Sequence, residues 1–461
     1  MAGYVTHHRL ATRETHIMKR RTLLAGTAAL AAAPLVSTRA QAAKTKIVWW
    51  HAMTAANAEQ VNRIADTFNQ SQNAVEVQAI YKGGYPDVLN AAIAASRAGQ
   101  APHLAQIFEV GTGTMLAAGK AVKQAWELAK ETGAQIDPKT YIPSVRGYYS
   151  LADGRMASMP FNSSTSLMWY SKDAFRKAGL DPDKPPTTWE EVVKAAQVIK
   201  AKNAAEIPCT SSWFSWVQLE QYSALHNIPF ASKADGFDGL DTQLQINSKA
   251  HVKHMARLLE MAKEGTFKYL GRDTAPDQSL LSGQTGIHFS SSAERGDLVK
   301  SAKFDWAPAF LPYDPDIIKT PLNSIIGGAS LWTMTAPGRT PAEYKAVAAL
   351  LQFIGQPGTD AYWHQHTGYV PVTLAGFELS QKQGFYDKNP GADLPVRQLT
   401  RGTVTNNSKG LRLGRLTEIR NIIYEEMEKG FQGGQTAQQA MDNAVTRGNK
   451  VLREFEKSVK A

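Results

Sequence analysis

Lys46-Ile47-Val48-Trp49-Trp50 opens the part of the chain whose pattern decides the fold, and it reads as a buried strand. Behind it Val61, Ile64, Ala65 and Phe68 recur at helical spacing, and Val75-Glu76-Val77-Gln78-Ala79-Ile80-Tyr81 alternates as a second strand. Leu89, Ala92 and Ile93 mark another helix, and Leu104 to Val110 a third strand. This β-α-β-α-β succession predicts an α/β fold whose sheet has parallel neighbours, with the C-terminal ends of the strands opening onto a ligand crevice. Tyr85 and Glu109 fall at or just after such ends.

Upstream of these strands the pattern is that of an address. Met18-Lys19-Arg20-Arg21 precedes an uncharged apolar run from Leu23 to Val36, and Ala40-Gln41-Ala42 has the small-x-small form read by signal peptidase. As a helix that run would rise about 21 Å, short of a hydrocarbon core of about 30 Å. Residues 1–42 are therefore expected to be an upstream extension and a signal peptide cleaved near Ala42, with Met18 the expected start. The paired arginines suit the twin-arginine and the general secretory routes alike. No later stretch is long and apolar enough to span a bilayer, so a soluble exported protein, periplasmic in location, is expected.

Downstream, Asp153-Gly154 is a hairpin signal, and Phe161-Asn162-Ser163-Ser164-Thr165 is a small polar stretch before the strand Leu167 to Tyr170. Pro185-Pro186 stops the chain, and Thr188 with Glu191 forms a capping box that starts a helix through Ile199. Thr285 to Phe289 reads as a strand followed by a second polar stretch, Ser290-Ser291-Ser292. Asp305 to Pro308 and Ile325 to Trp332 read as a strand pair around Gly327-Gly328. The last third is helical, its final helix opened by a box of Thr436 with Gln439. The expected organisation is two lobes: an N-terminal lobe of 43–160 plus about 293–336, and a C-terminal lobe of about 166–288 plus 340–461. Residues 161–165 and 289–292 are the expected crossovers.

The chain of 461 residues is 43% hydrophobic and carries one cysteine, which excludes disorder, a disulfide framework and thiolate metal clusters. Cys209 reads as a small buried hydrophobe. The formal charge is +10, but six basic residues and one acidic residue leave with 1–42, so the mature chain carries +5 without a basic run. That argues against nucleic acid and permits a small anion.

Catalytic motifs fail one by one. Gly113 to Lys120 has one residue too many for a P-loop, and Ala121 stands where a hydroxyl must reach magnesium. His251-x-x-His254 and His364-x-His366 lack further ligands nearby and read as surface or capping histidines. There is no nucleophile elbow, zincin motif or paired-carboxylate signature, so neither a catalytic residue nor a metal or cofactor is expected. Binding features remain. Trp213 and Trp216 are spaced either for a core pair or for a ligand wall. Ser163-Ser164, Ser290 to Ser292 and Gly327-Gly328 are each explicable as turns, and together would suit a cradle of neutral donors for phosphate. Arg420, on a helix beginning near Leu416, reads by default as a solvated arginine.

Trp169-Tyr-Ser-Lys-Asp-Ala-Phe-Arg-Lys-Ala-Gly-Leu-Asp181 and Pro185-Pro-Thr-Thr-Trp189 resemble the extracellular solute receptors of ABC importers, the family that includes maltose-binding protein. More narrowly, Tyr81 to Tyr85, Phe161 to Ser164, Ser212 to Trp216, Pro229 to Ser232, Ile325 to Trp332, Thr367 to Tyr369, Gly384 to Asp393 and Lys409 to Gly414 resemble its glycerol-phosphate-binding members. Gly286 to Phe289 departs from that pattern, where small polar residues are expected. The resemblance spans the mature chain and implies a two-lobed periplasmic binding protein of the hinge-bending type II class, with the chain crossing between lobes. It implies that Tyr85, Glu109, Ser164, Ser291, Gly328, Tyr369 and Arg420 contact ligand, with Trp213 and Trp216 walling the pocket. Arg420 would give the phosphate a bidentate pair, and Glu109 would accept from the glycerol hydroxyls.

The implied ligand is sn-glycerol 3-phosphate, with glycerophosphodiesters as further candidates. The implied partners are inner-membrane permease subunits with their ATPase, and the receptor would be a monomer that closes on its ligand. In that reading Tyr85, Glu109 and Gly328 lie on one lobe and Trp213, Trp216, Tyr369 and Arg420 on the other. An oligosaccharide receptor of the same fold and a secreted phosphodiesterase are the alternatives.

Overall fold

The computed structural model describes residues 43–460; the expected export signal and its cleavage site lie outside the described residues. Strand β1 (Thr45–His51) runs parallel to β2 (Val75–Tyr81) on one side and to β3 (Leu104–Phe108) on the other. The connecting helices Ala55–Ser71 and Tyr85–Arg97 bury Val61, Ile64, Ala65, Phe68 and Val88, Leu89, Ala92, the spacing that predicted them. β3 stops at Phe108, because Glu109–Gly111 wind into a short 3₁₀ turn that lifts Glu109 off the ladder. The short β4 (Val122–Lys123) and the wholly buried β5 (Met159–Ser164) complete the first part of this sheet.

The second sheet is built from β6 (Ser166–Ser171), β7 (Ile207–Ser211), β8 (Thr285–Ser291) and β9 (Trp306–Ala309), in the order β7-β8-β6-β9. Its helix Trp189–Ala201 begins with the capping box expected from Thr188 and Glu191: the Thr188 hydroxyl accepts from Glu191 N, and the Glu191 carboxylate accepts from Thr188 N at 3.0 Å. Thr188→Ala should lower stability by about 1 kcal/mol while leaving ligand affinity unchanged, a result denaturant titration with parallel calorimetry would check. β10 (Gly327–Met334) then returns to the first sheet, antiparallel to β3, β4 and β5.

Three expectations about organisation are corrected by this topology. First, Trp306–Ala309 does not pair with the strand after Ile325; it is the edge strand of the second sheet, against β6, so the stretch 293–336 does not belong to the first lobe as a block. An edge position tolerates Pro308, which has no N–H to give a ladder. Second, 289–292 is not a crossover, since Ser291 is still paired with Ser166. The chain instead crosses at Thr165, the single residue between β5 and β6, and again between β9 and β10. These two crossings touch: Thr165 Oγ1 lies 2.7 Å from Ser324 Oγ and 2.9 Å from the Ile325 carbonyl oxygen. Connections that cross side by side are where a hinge between the lobes would bend.

Third, 340–461 is not all second-lobe. The helix Pro341–Ile354, apolar around most of its circumference, covers β1 and the helix Ala125–Thr132 of the first lobe. The helix Pro357–Thr367 packs on Ala55–Ser71, and Val370 bridges to Ser163 of β5. Tyr369 therefore stands with Tyr85 on the first lobe, not across from it. Helices Leu416–Phe431 and Ala437–Lys460 pack on each other and on Lys249–Lys263 of the second lobe.

His251 and His254 are not surface residues. Both are buried in a polar network: His251 bonds Ser223 and Ser248, and His254 bonds Gln218 while stacking on Tyr222 at 4.2 Å. Burial holds both well below the usual histidine range, His251 at about 3, so they are neutral at pH 7. His364 is buried too, bonding the Tyr369 carbonyl oxygen at 2.6 Å, while His366 is exposed. Cys209 is buried, as expected, and burial pushes its thiol up. Among the described residues no helix is long and apolar enough to cross a membrane.

Candidate ligand-binding site

A cavity of about 560 Å³ opens between the two lobes where the C-terminal ends of β1, β2 and β3 face the second sheet. Tyr85, Glu109, Ser164, Trp213, Trp216, Ser291, Gly328, Tyr369 and Arg420 all line it, drawn from segments spread over more than 330 positions of sequence.

On the first lobe, Tyr85 begins a helix just past β2 and stacks on Phe108 with ring centroids 5.3 Å apart. Its hydroxyl accepts from Asn162 Nδ2 at 2.7 Å and lies 3.2 Å from the Tyr369 hydroxyl. Asn162 is held in turn by Gln106, whose Nε2 donates to its Oδ1 at 2.8 Å. This Gln106–Asn162–Tyr85–Tyr369 chain fixes two phenols at the cavity wall. Burial raises both above the ordinary phenol range, so they stay protonated.

The wall opposite comes from the segment after β7. Trp213 adopts a left-handed φ of 47° and donates its N–H to the Asp273 carbonyl oxygen at 2.8 Å. The following π-helical turn, Trp216–Glu220, carries Trp216 onto Gly327 so closely that a side chain at 327 would collide with the indole. Trp216 is 4% exposed, and its Nε1–H has no protein partner. An unpaired buried donor on a residue that lines a cavity is a candidate partner for a ligand acceptor.

Arg420 is not a solvated arginine: it is 5% exposed and already paired. Its Nε and Nη2 each donate to Glu220 at 2.7 Å, and Nη2 also donates to Glu109 at 2.9 Å. The bidentate partner expected of a phosphate is thus a carboxylate of the protein, and Nη1 alone lacks a protein partner. Burial works against the Arg420 charge, but Glu220 and Glu109 more than offset it and hold the guanidinium protonated. Glu109 is pushed up to about 7, by burial first, with Arg420 pulling it down and Glu220 pushing it up. The pair Arg420–Glu109 also spans the cleft, joining the second-lobe helix to the turn after β3.

The rest of the second-lobe wall is acidic. Asp273, Asp277, Glu294 and Asp297 line it, and with Asp87 and Glu109 they put six carboxyls around a single guanidinium. Glu294 is driven well above the usual carboxyl range, by burial and by Asp277. Among the described residues no group of His, Cys, Asp and Glu has the geometry to hold a metal ion. Sequence reasoning missed Glu220, Asn162 and this acidic flank. Asn162 lay inside a motif the sequence had singled out, whereas nothing in the local pattern marked Glu220.

The family model described as "Bacterial extracellular solute-binding protein" matches residues 63–390. The chain belongs to this family. The solute-binding protein is 44% identical over 451 residues to the sn-glycerol-3-phosphate-binding periplasmic protein UgpB of Pectobacterium atrosepticum, covering 97% of this chain and 99% of the relative. It is also 44% identical to UgpB of Salmonella typhimurium, over 91% of this chain and 95% of that one. Among solved structures it is similar to UgpB from Mycobacterium tuberculosis in complex with glycerophosphocholine (TM-score 0.72, 21% identity, 89% and 99% coverage). It is likewise similar to the cyclic alpha-maltosyl-1,6-maltose binding protein from Arthrobacter globiformis (TM-score 0.69, 20% identity, 89% and 100%). These structural likenesses establish the two-lobed α/β binding-protein fold.

Proposed function

We propose that this protein is the periplasmic receptor of an ABC importer, binding sn-glycerol 3-phosphate and glycerophosphodiesters in the interlobe cavity and presenting them to membrane permease subunits. One observation carries the reading. In a chain 44% identical to sn-glycerol-3-phosphate-binding proteins along nearly its whole length, nine residues distant in sequence meet in one cavity with the donors a phosphoryl group needs. Arg420 Nη1, the Trp216 indole N–H and the Tyr85 and Tyr369 hydroxyls suit phosphate oxygens, and the indole faces suit the C–H edges of glycerol. With six carboxyls against one paired guanidinium, the cavity also suits a zwitterionic diester, whose single phosphate charge is balanced by a cationic head group.

Calorimetric titration with sn-glycerol 3-phosphate, glycerophosphocholine and maltose tests the reading. Binding of either phosphate ester without maltose binding, and without release of glycerol or phosphate, is the expected result. Maltose binding alone would overturn it in favour of an oligosaccharide receptor, and product release would make the protein an enzyme.

The state of Glu109 sets the pH dependence. An anion placed beside it raises its pKa above about 7, so binding takes up a proton. Affinity for glycerol 3-phosphate should therefore rise as pH falls from 8.5 towards 7, by less than tenfold per unit, and level off below that. Titrations in buffers of different ionisation enthalpy should show uptake of a fraction of one proton at about pH 7.5.

A further inference from the structure

We propose that Glu220, which neither the resemblance nor the family relationship singles out, is the residue that sets which oxyanions the cavity accepts. It does so by keeping the bidentate edge of Arg420 closed. The proposal rests on the receptor reading above and names the selectivity device of the same site.

A guanidinium offers a planar oxyanion two paired edges, one between Nε and a terminal nitrogen and one between the two terminal nitrogens. Glu220 takes the first edge whole, with both bonds at 2.7 Å. Glu109 takes the remaining Nη2 hydrogen at 2.9 Å, which closes the second edge as well. Only end-on contact at Nη1 is left for a ligand. Glu220 is suited to this clamp because it is 2% exposed and its Oε1 also accepts from Ser215 Oγ at 3.1 Å. It is held on the same π-helical turn that presents Trp216 to the cavity. Short π-helical turns are frequent at functional sites, and this one sets the clamp and an indole donor in one segment.

The consequence is chemical. Inorganic phosphate and sulfate are small and rely on a charged fork; with the fork occupied by protein carboxylates they meet Nη1 end-on within an acidic surround. An ester of glycerol gains from the indoles, the phenols and Glu109 and does not depend on the fork. Glu220 thus weakens bare oxyanions more than it weakens the glycerol ester. Its charge also acts on Glu109, which faces Arg420 from the second-lobe helix, Glu220 from the π-helical turn, and the phenols of Tyr85, Tyr148, Tyr149 and Tyr369. All four phenols stay protonated. With the Glu220 charge removed, Glu109 becomes the one anion paired with Arg420 and its protonation moves to lower pH.

Glu220→Gln, which keeps the side-chain shape, tests both consequences. The ratio of affinities for glycerol 3-phosphate over inorganic phosphate should fall at least tenfold, and the pH midpoint of glycerol 3-phosphate binding should shift below that of the wild type. A merely structural residue would move neither the ratio nor the midpoint. An unchanged ratio would overturn the role of Glu220 while leaving the receptor reading intact; failure of the wild type to bind glycerol 3-phosphate would remove the receptor reading and this proposal together. Should the variant not fold, ¹⁵N NMR of the wild-type arginine side chains decides. The Arg420 Nε–H signal should exchange slowly and stay in place as glycerol 3-phosphate is added, because Glu220 keeps that hydrogen. A large shift of that signal on binding would show ligand displacing Glu220 and overturn the clamp.

Discussion

Arg420→Ala should weaken binding of glycerol 3-phosphate at least tenfold and cost the fold about 3–5 kcal/mol. Removing the guanidinium takes away the one positive charge that the described residues place at the cavity wall, and a charged hydrogen bond to ligand is worth about 1.5–3 kcal/mol, or roughly ten- to a hundredfold in affinity. It also strands Glu220 and Glu109, both buried, with no cation between them. Glu109, already raised to about 7 by burial, loses the Arg420 charge that pulls it down, so the variant should gain stability as pH falls from 8 towards 5, until the unfolded-state carboxyls begin to protonate. Urea unfolding at several pH values reads that slope, and calorimetry reads the binding. Lysine should restore little of either, since a point charge cannot donate to Glu220 with two parallel bonds and still reach Glu109.

Gly328→Ala should be nearly as damaging from the other lobe. Gly328 sits in β10 at a φ of 84°, opposite Ser163, and an added side-chain carbon there would overlap the Asn162 carbonyl oxygen. The left-handed conformation costs a non-glycine residue about 1–2 kcal/mol, and prising β10 from β5 costs about 1–3 more. Asn162 holds the Tyr85 hydroxyl, so the same displacement moves a phenol of the cavity wall. A loss of about 3 kcal/mol in chemical denaturation is expected, with ligand affinity reduced at least tenfold even where the protein remains folded. Stability and affinity close to wild type would mean that the β5–β10 register does not shape the site.

What the sequence disclosed divides along physical lines. Contacts made within a few residues were legible: the helical spacing of Val61 to Phe68, the alternation of Val75 to Tyr81, and the reciprocal caps of Thr188 with Glu191 and Thr436 with Gln439 all appear in the structure as read. The position of Tyr85 and Glu109 past strand ends followed from the parallel β-α-β pattern alone. Pairings over long separations were not legible. β9 is four residues with a proline, too short to announce which sheet it joins, and its misplacement carried the second crossover with it. Tyr369 follows two helices whose patterns fit either sheet, and only the packing of Pro341–Ile354 on β1 and of Pro357–Thr367 on the helix Ala55–Ser71 puts that region with the first lobe. Glu220 was invisible for a further reason. It lies on a π-helical turn, off the 3.6-residue rhythm, and its partners Arg420 and Glu109 are 200 and 111 positions away. The default reading of Arg420 as solvated failed on the same ground, because a buried guanidinium is recognised by carboxylates that sequence distance conceals. The resemblance named the cavity residues; it did not disclose that their central cation is already held.

A crystal structure of the protein with sn-glycerol 3-phosphate tests the whole account most directly. The ligand should lie between the lobes, with a phosphoryl oxygen within hydrogen-bond distance of Arg420 Nη1 and Trp216 Nε1, the glycerol against Trp213, and Glu220 still bonded to Arg420 Nε and Nη2. A phosphate seated in the Nε–Nη2 edge with Glu220 turned away, or a ligand bound on one lobe outside the cleft, would contradict it.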